Sequence, residues 1–284
     1  MTAIALALCS AALFGAMSVA LRFALREGAG AEVGAVLTIV PAFGVTLVWA
    51  AAHGLEDVAS AWPFALAGVV APGGSQILFT LAIRDAGPSR TSVLVGVAPL
   101  FSVAIALVAL DEPLVPLLVV GAVLIVGGGL LLVGERVRPE SFRLAGYAFA
   151  LVATVLFATR DNLLRWLSVD TDVPASLAAV TTIGAGMVVV TAYAAARNAS
   201  NKVVLAGARH FALAGIVFGL SYVALFEAYY RGRVTVVSPL IATESLFGVL
   251  FSALIIRRAE LIGRSLVTGA LLIVAGGALI GVFR

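Results

Sequence analysis

Among the ionisable residues inside long apolar stretches of this 284-residue chain, four stand out: Arg160, Asp161, Glu227 and Glu244. An ionisable side chain in hydrocarbon costs roughly 2.5–3.5 kcal/mol on insertion scales, so each implies a partner or a function. Asp161 lies one helical turn before Arg165, and Glu227 one turn before Arg231. That spacing puts each pair on one helix face, as local ion pairs reaching for the interface. Glu244 has no basic residue within a turn of its own helix and lies about 15 Å from the entering end of its stretch. A carboxyl there costs least when neutral, which makes Glu244 a candidate proton carrier; the alternative is a protonated carboxyl bonded to a neighbouring carbonyl. Arg160 lies about 10 Å from the exit end of its stretch, in depth between Glu227 and Glu244. A cation flanked by carboxylates can hold a zwitterion, with the ligand carboxylate on Arg160 and its ammonium on Glu244 or Asp161. The same charges can also neutralise one another. Gln76, Thr80 and Tyr222 are candidates to line the same space, beside Tyr229 and Tyr230, although tyrosines near helix ends also serve as an interfacial belt.

The elements that must position these residues follow from composition. Hydrophobic residues make up 62% of the chain and charged residues 12%, with a mean hydropathy of +1.14. A soluble domain is about half apolar and a quarter charged, so the bilayer is the natural solvent. Ten apolar spans lie between the charge clusters: Ala3–Leu25, Glu32–Ala52, Trp62–Ile83, Pro88–Leu110, Leu114–Val133, Arg143–Leu167, Val173–Ala196, Arg209–Tyr230, Val234–Ile256 and Leu261–Val282. Each is near the 20 residues that a helix needs to cross hydrocarbon. The expected fold is therefore an all-α integral membrane protein with ten transmembrane helices. The first span has no basic leader and reads as a retained helix rather than a cleaved signal. Pro41, Pro72, Pro99 and Pro239 fall inside spans, as fixed kinks or as openings of the backbone beside a cavity. Gly127, Gly128, Gly129, Gly215, Gly219, Gly276 and Gly277 are expected at close helix crossings. Trp49, Trp62 and Trp166 read as an aromatic belt on one face of the membrane.

The second half restates the first. Phe64-Ala65-Leu66-Ala67-Gly68 returns as Phe211-Ala212-Leu213-Ala214-Gly215, and the glycine-rich run from Gly121 to Gly129 returns from Gly269 to Gly277. The offset holds near about 145 residues. The expected units are residues 1–138 and 139–284, each a five-helix repeat. An odd number of spans per repeat inverts the second copy in the membrane. Inverted repeats underlie many secondary transporters, with the substrate site at the midplane between the halves.

Phe14-Gly15 followed by Arg22, then Ala98-Pro99-Leu100-Phe101 and Asp111-Glu112-Pro113-Leu114, resembles an EamA-like repeat of the drug/metabolite transporter superfamily. Ser238-Pro239-Leu240, Glu244-Ser245-Leu246-Phe247 and the joint from Arg257 to Glu260 resemble its second copy. The resemblance implies ten helices, no cofactor, and export or exchange of small metabolites. Two departures stand out. The family's tryptophan before the glycine is Phe14 here, and Phe157 in the copy. Its Glu-Pro pair is split between the halves, as Ala98-Pro99 and Glu244-Ser245.

The expected function is a secondary transporter in the cytoplasmic membrane, moving an amino-acid-like or related organic solute by alternating access, as an exporter. Its expected partners are that solute, the lipid bilayer and protons as coupling ion, with the chain acting as a monomer or homodimer. A lipid-head-group flippase or a non-transporting membrane subunit is the alternative. An intramembrane enzyme would need motifs such as HExxH or GxSxG, which are absent from the sequence. No basic run interleaved with aromatics suggests nucleic acid. Loops after odd-numbered spans hold Arg26, Arg84, Arg90, Arg136, Arg138, Arg197, Lys202, Arg257, Arg258 and Arg264. Those after even-numbered spans hold chiefly Arg231 and Arg233, with Glu56, Asp57, Asp111 and Glu112. The positive-inside rule then puts both termini outside the cytoplasm, whereas the family resemblance implies termini inside it.

Overall fold

The computed structural model describes residues 2–26, 30–55, 57–109, 116–133, 142–169, 171–197, 201–232, 234–256 and 263–283. The joints holding Asp111-Glu112-Pro113 and Arg257 to Glu260, together with Glu56, Arg136, Arg138 and Arg233, lie outside these residues. Every regular element among the described residues is helical.

The first half comprises α1 (Thr2–Arg26), α2 (Ala31–His53), α3 (Trp62–Gly68), α4 (Ser75–Ala86), α5 (Pro88–Val95), α6 (Ala98–Ala109) and α7 (Pro116–Val133). The second comprises α8 (Ala145–Val169), α9 (Ala175–Ala196), α10 (Asn201–Arg231), α11 (Val234–Ile241), α12 (Glu244–Phe251) and α13 (Arg264–Phe283). Six helical segments among the described residues are long and apolar enough to cross a membrane: Thr2–Arg26, Ala31–His53, Val58–Ala86, Ala145–Val169, Ala175–Ala196 and Ala208–Arg231. Val119–Leu131, Glu244–Ile255 and Arg264–Leu279 are shorter apolar helices. The outer surface is apolar. Val48, Val123, Leu130, Val188 and Leu213 are 64–71% exposed, a surface that suits lipid rather than water. Trp62 and Trp166 are exposed as well. The start of the Trp62 segment and the end of α8 share one end of the bundle, where His53, Asp57, Ser60, Thr171 and Asp172 surround an indentation.

Three expected spans are not continuous α-helices. In the third, α3 and α4 are joined by a π-helical turn, Val69–Gly74, in which Ala71 leaves helical geometry (φ −150°, ψ 123°) just before Pro72. In the fourth, α5 and α6 are separated at Gly96-Val97. Pro99 has no N–H to continue the ladder and sits in the first turn of α6, where a missing donor is tolerated. In the ninth, α11 and α12 are separated at Ala242-Thr243, although Ser245 stands where the first half has Pro99. The carbonyls loosened there are satisfied locally: Thr243 Oγ1 donates to Leu240 O at 2.5 Å and Ser245 Oγ to Ala242 O at 2.9 Å. The proline of this span, Pro239, lies inside α11, about one turn before the interruption. Pro41, by contrast, lies inside α2 without dividing it. The eighth span also begins earlier than its apolar run, since α10 is helical from Asn201.

Helix contacts come in related sets. α1 lies against α10 and α12, while α8 lies against α4, α5 and α6. α2 meets α9 and α10, and α9 meets α3 and the π-helical turn. α7 lies against α13. Glycines sit at the closest approaches. A Cβ on Gly68 would run into the Thr182 carbonyl, and one on Gly215 would lie 2.5 Å from the Thr38 carbonyl. A Cβ on Gly128 would lie 2.6 Å from Gly269 O, and one on Gly276 2.5 Å from Gly121 O. The latter two contacts make α7 and α13 antiparallel, backbone against backbone. Gly127 and Gly129 face open space instead, so only one glycine of that triplet serves the crossing. Gly128→Ala should therefore lower stability by about 1–3 kcal/mol through overpacking, while Gly127→Ala stays within about 0.5 kcal/mol of the parent. Thermal unfolding of both variants in detergent checks the difference.

Candidate functional site

Gly15 and Arg22, which carry part of the family resemblance, hold helices together and do not line the cavity. Gly15 lets α1 approach the backbone of α12, where an added Cβ would lie 2.9 Å from Phe247 Cβ and Gly248 N. Arg22 Nη1 donates to Ile83 O at 3.2 Å and Arg84 O at 2.8 Å. It places a cation on carbonyls at the C-terminus of α4, where the helix dipole favours positive charge. Arg84 pairs with its neighbour Asp85 at 2.7 Å.

The cavity lies where the middles of α1, α8 and α10 and the start of α4 meet the interruptions between α5 and α6 and between α11 and α12. Its lining includes Phe14, Met17, Gln76, Phe79, Val95, Ala98, Phe157, Arg160, Asp161, Phe218, Ser238, Ile241, Ala242 and Glu244. The cavity volume is about 30 Å³, room for a water molecule or two. The aromatic side chains thus close over most of the space.

Arg160 and Asp161 form a buried pair on the inner face of α8, 3% and 5% exposed. Arg160 Nε and Nη2 both donate to Asp161 Oδ1, at 2.9 and 2.7 Å. Nη1 donates to the Tyr222 hydroxyl at 2.5 Å. The guanidinium lies over the rings of Phe157 and Tyr222, 5.3 and 5.1 Å from their centroids. Such stacking favours a cation once water is excluded. Tyr222 is held edge-on to Phe14 and Phe218, with centroids 5.9 and 5.0 Å away. Tyr229, about two turns along the same face of α10, lies beside Asp161 and Ser238. Glu244 opens α12 and is 4% exposed. Its Oε1 has no hydrogen-bond partner among the described residues, and neither amide atom of the fully buried Gln76 has one.

Of the sequence-predicted residues, Arg160, Asp161, Gln76 and Glu244 meet in the cavity, and Tyr222 stands behind Arg160. Thr80 is buried outside the lining and donates to Gln76 O at 2.8 Å within α4. Glu227 makes the expected ion pair with Arg231, near the end of α10 and away from the cavity. Asp161 differs from expectation: its partner is Arg160, not Arg165. Residues one apart do not ordinarily face each other on a helix, but the long arginine side chain bends back. Burial strengthens its attraction to the adjacent carboxylate. Phe79, Phe218 and Met17 carry no signal in the sequence, and Ser238 enters only through the family resemblance. They are ordinary apolar and small residues in apolar helices, and only the fold turns them inward.

Among the described residues, no group of three His, Cys, Asp or Glu side chains is placed to hold a metal ion. No curated protein matches the chain. A solved structure described as "Crystal structure of protein" matches with a TM-score of 0.72 at 20% identity, over 98% of this chain and 96% of that one. That likeness concerns the fold alone. The EamA-like transporter family matches residues 1–134 and again 144–282, twice along one chain and across nearly all of it. With membrane-length apolar helices surrounding a cavity of buried charges, the chain belongs to the EamA-like transporter family.

Proposed function

We propose that the protein is a secondary transporter of the cytoplasmic membrane that exports an amino-acid-like or related organic solute by alternating access. Its ten spans would form two inverted five-helix halves, residues 1–138 and 139–284. The observation that carries this reading is the placement of Glu244: a buried carboxyl with an oxygen unpartnered among the described residues, at the start of a helix that restarts beside a cavity. Discontinuous helices at the midplane are where secondary transporters bind their cargo.

Reciprocal contacts support the inverted halves. Gly68 and Gly215 are repeat equivalents, as are Thr182 and Thr38, and each glycine meets the carbonyl of the other half's threonine. The antiparallel crossing of α7 and α13 makes the same exchange, Gly128 on Gly269 and Gly276 on Gly121. The interruptions at Gly96-Val97 and Ala242-Thr243 fall at equivalent positions too. Halves related in this way can trade conformations at similar energy, which opens the cavity to alternate sides. The direction, export, rests on the family resemblance.

Liposomes containing only this protein test the reading. Saturable counterflow of a small organic solute is the expected result. A barrier that passes none, or one that passes only lipid, would leave a non-transporting subunit or a flippase. Orientation is a separate expectation. The positive-inside rule places both termini outside the cytoplasm, so a C-terminal fluorescent protein that matures only inside cells should stay dark. Bright fluorescence would reverse the assignment.

A further inference from the structure

Three features of the cavity bear on what occupies it. Its polar reach is unpartnered: Glu244 Oε1 and both amide atoms of Gln76 are buried, line the space, and have no hydrogen-bond partner among the described residues. Buried polar atoms in folded proteins are satisfied, so atoms like these mark where a bound group completes the set. The cation of the cavity is already engaged. Arg160 directs two donors at Asp161 and a third at Tyr222, and its faces lie against Phe157 and Tyr222. A ligand carboxylate would have to displace Asp161 to gain the bidentate fork. The remaining walls are rings and a thioether: Phe14, Phe79, Phe157, Phe218 and Met17. Such walls attract apolar, flat groups, and their ring faces attract cations.

We propose that this cavity takes an organic amine, in its ammonium form, on a flat apolar body without a free carboxylate. The inference rests on the transporter reading for its physiological meaning and narrows the solute from amino-acid-like compounds to the related amines. The ammonium donates to Glu244 and to Gln76 Oε1. Gln76 Nε2 remains to donate to an oxygen of the ligand, so a hydroxyl or ether near the amine is accommodated. The body lies among the phenylalanines. The cavity volume of about 30 Å³ is below that of any such solute, so entry requires these side chains to part. Rotatable rings flanked by two interrupted spans allow that movement. Glu244 and Gln76 come from opposite halves, so a bound amine also ties α4 to α12.

Binding to the purified protein tests the proposal with three probes that share one ring: 2-phenylethylamine, phenylalanine and 3-phenylpropanoate. Thermal shift and equilibrium binding should show stabilisation by the amine, with the zwitterion and the carboxylate at least tenfold weaker. Gln76→Leu should weaken amine binding roughly tenfold or more through loss of its hydrogen bonds. The unliganded protein should melt no lower, since two unsatisfied buried atoms are removed. Equal or tighter binding of phenylalanine or 3-phenylpropanoate overturns the proposal. So does absence of any effect of 2-phenylethylamine, or full amine affinity in Gln76→Leu. The two readings fail separately. Amine binding without flux in liposomes removes the transporter reading and leaves this one. Flux that prefers carboxylates or zwitterions does the reverse.

Discussion

Glu244→Gln should reach the membrane at normal levels, melt at the parent temperature and lose pH-dependent transport, with flux lower by roughly 10- to 100-fold. The magnitude follows from losing a hydrogen bond to a charged group, about 1.5–3 kcal/mol. Glutamine keeps the shape and one acceptor of the side chain but cannot gain or lose a proton. Glu244→Ala should be at least as stable as the parent. Ala98 occupies the equivalent place in the first half, at the start of α6, and the substitution removes a buried oxygen that has no hydrogen-bond partner among the described residues. Flux against pH in liposomes, with melting curves for both variants, checks the pair. Full and still pH-sensitive flux in Glu244→Gln would take the proton-carrier role away. Failure of Glu244→Ala to fold would make the carboxyl a structural part of the Arg160 cluster.

The second large effect concerns Arg160 and Asp161, where single and double replacements should part company. Arg160→Ala leaves the Asp161 carboxylate buried beside apolar rings, and removing one member of a buried ion pair typically costs about 3–5 kcal/mol. Asp161→Ala strands the guanidinium and should cost a similar amount. The double variant Arg160→Met with Asp161→Leu removes both charges together and should recover to within about 1 kcal/mol of the parent. Arg160→Lys separates structure from recognition. Lysine keeps the charge but cannot bond Asp161 and Tyr222 through three nitrogens at once. A loss of stability with proportionate loss of flux is the expected outcome. Flux falling far more than stability would mean that Arg160 itself grips a ligand carboxylate.

Much of this was legible beforehand because hydrocarbon is an unforgiving solvent. Charges are rare in it, so Arg160, Asp161, Glu227 and Glu244 all declare themselves as site candidates; spacing leaves Glu227 equally open to an interfacial pair with Arg231, and the fold chooses that pair and keeps it out of the cavity. Repeated glycines such as Gly128 and Gly276 carried information because only glycine permits the backbone contacts they make. Span interruptions were harder to read. Pro41 leaves α2 whole, whereas Ala242-Thr243 interrupts its span without a proline at the position equivalent to Pro99. Hydroxyls bond carbonyls about one turn back at that break, and equally at Thr38 and Thr80 inside unbroken helices, so they do not mark it in sequence. The aromatic walls were hidden for a related reason. Phe79 and Phe218 differ in no local respect from phenylalanines that meet lipid, and only the fold brings them round Gln76. Partner choice was the third blind spot, because spacing favoured Arg165 for Asp161 while burial delivered Arg160.

The closeness of Arg160 to Asp161 has an electrical consequence. Two opposite charges bonded to each other travel as a neutral unit, whatever path the helices follow between facing states. The membrane potential, which does about 2.3 kcal/mol of work per elementary charge per 100 mV across the full bilayer, finds no net handle on that pair. What remains for the voltage to act upon is Glu244 together with its cargo. With an ammonium on an ionised Glu244 the sum is zero, and with a proton there instead it is zero again. An empty site with Glu244 ionised is the one form that carries charge through the field, so it is also the form whose reorientation the potential would slow or speed.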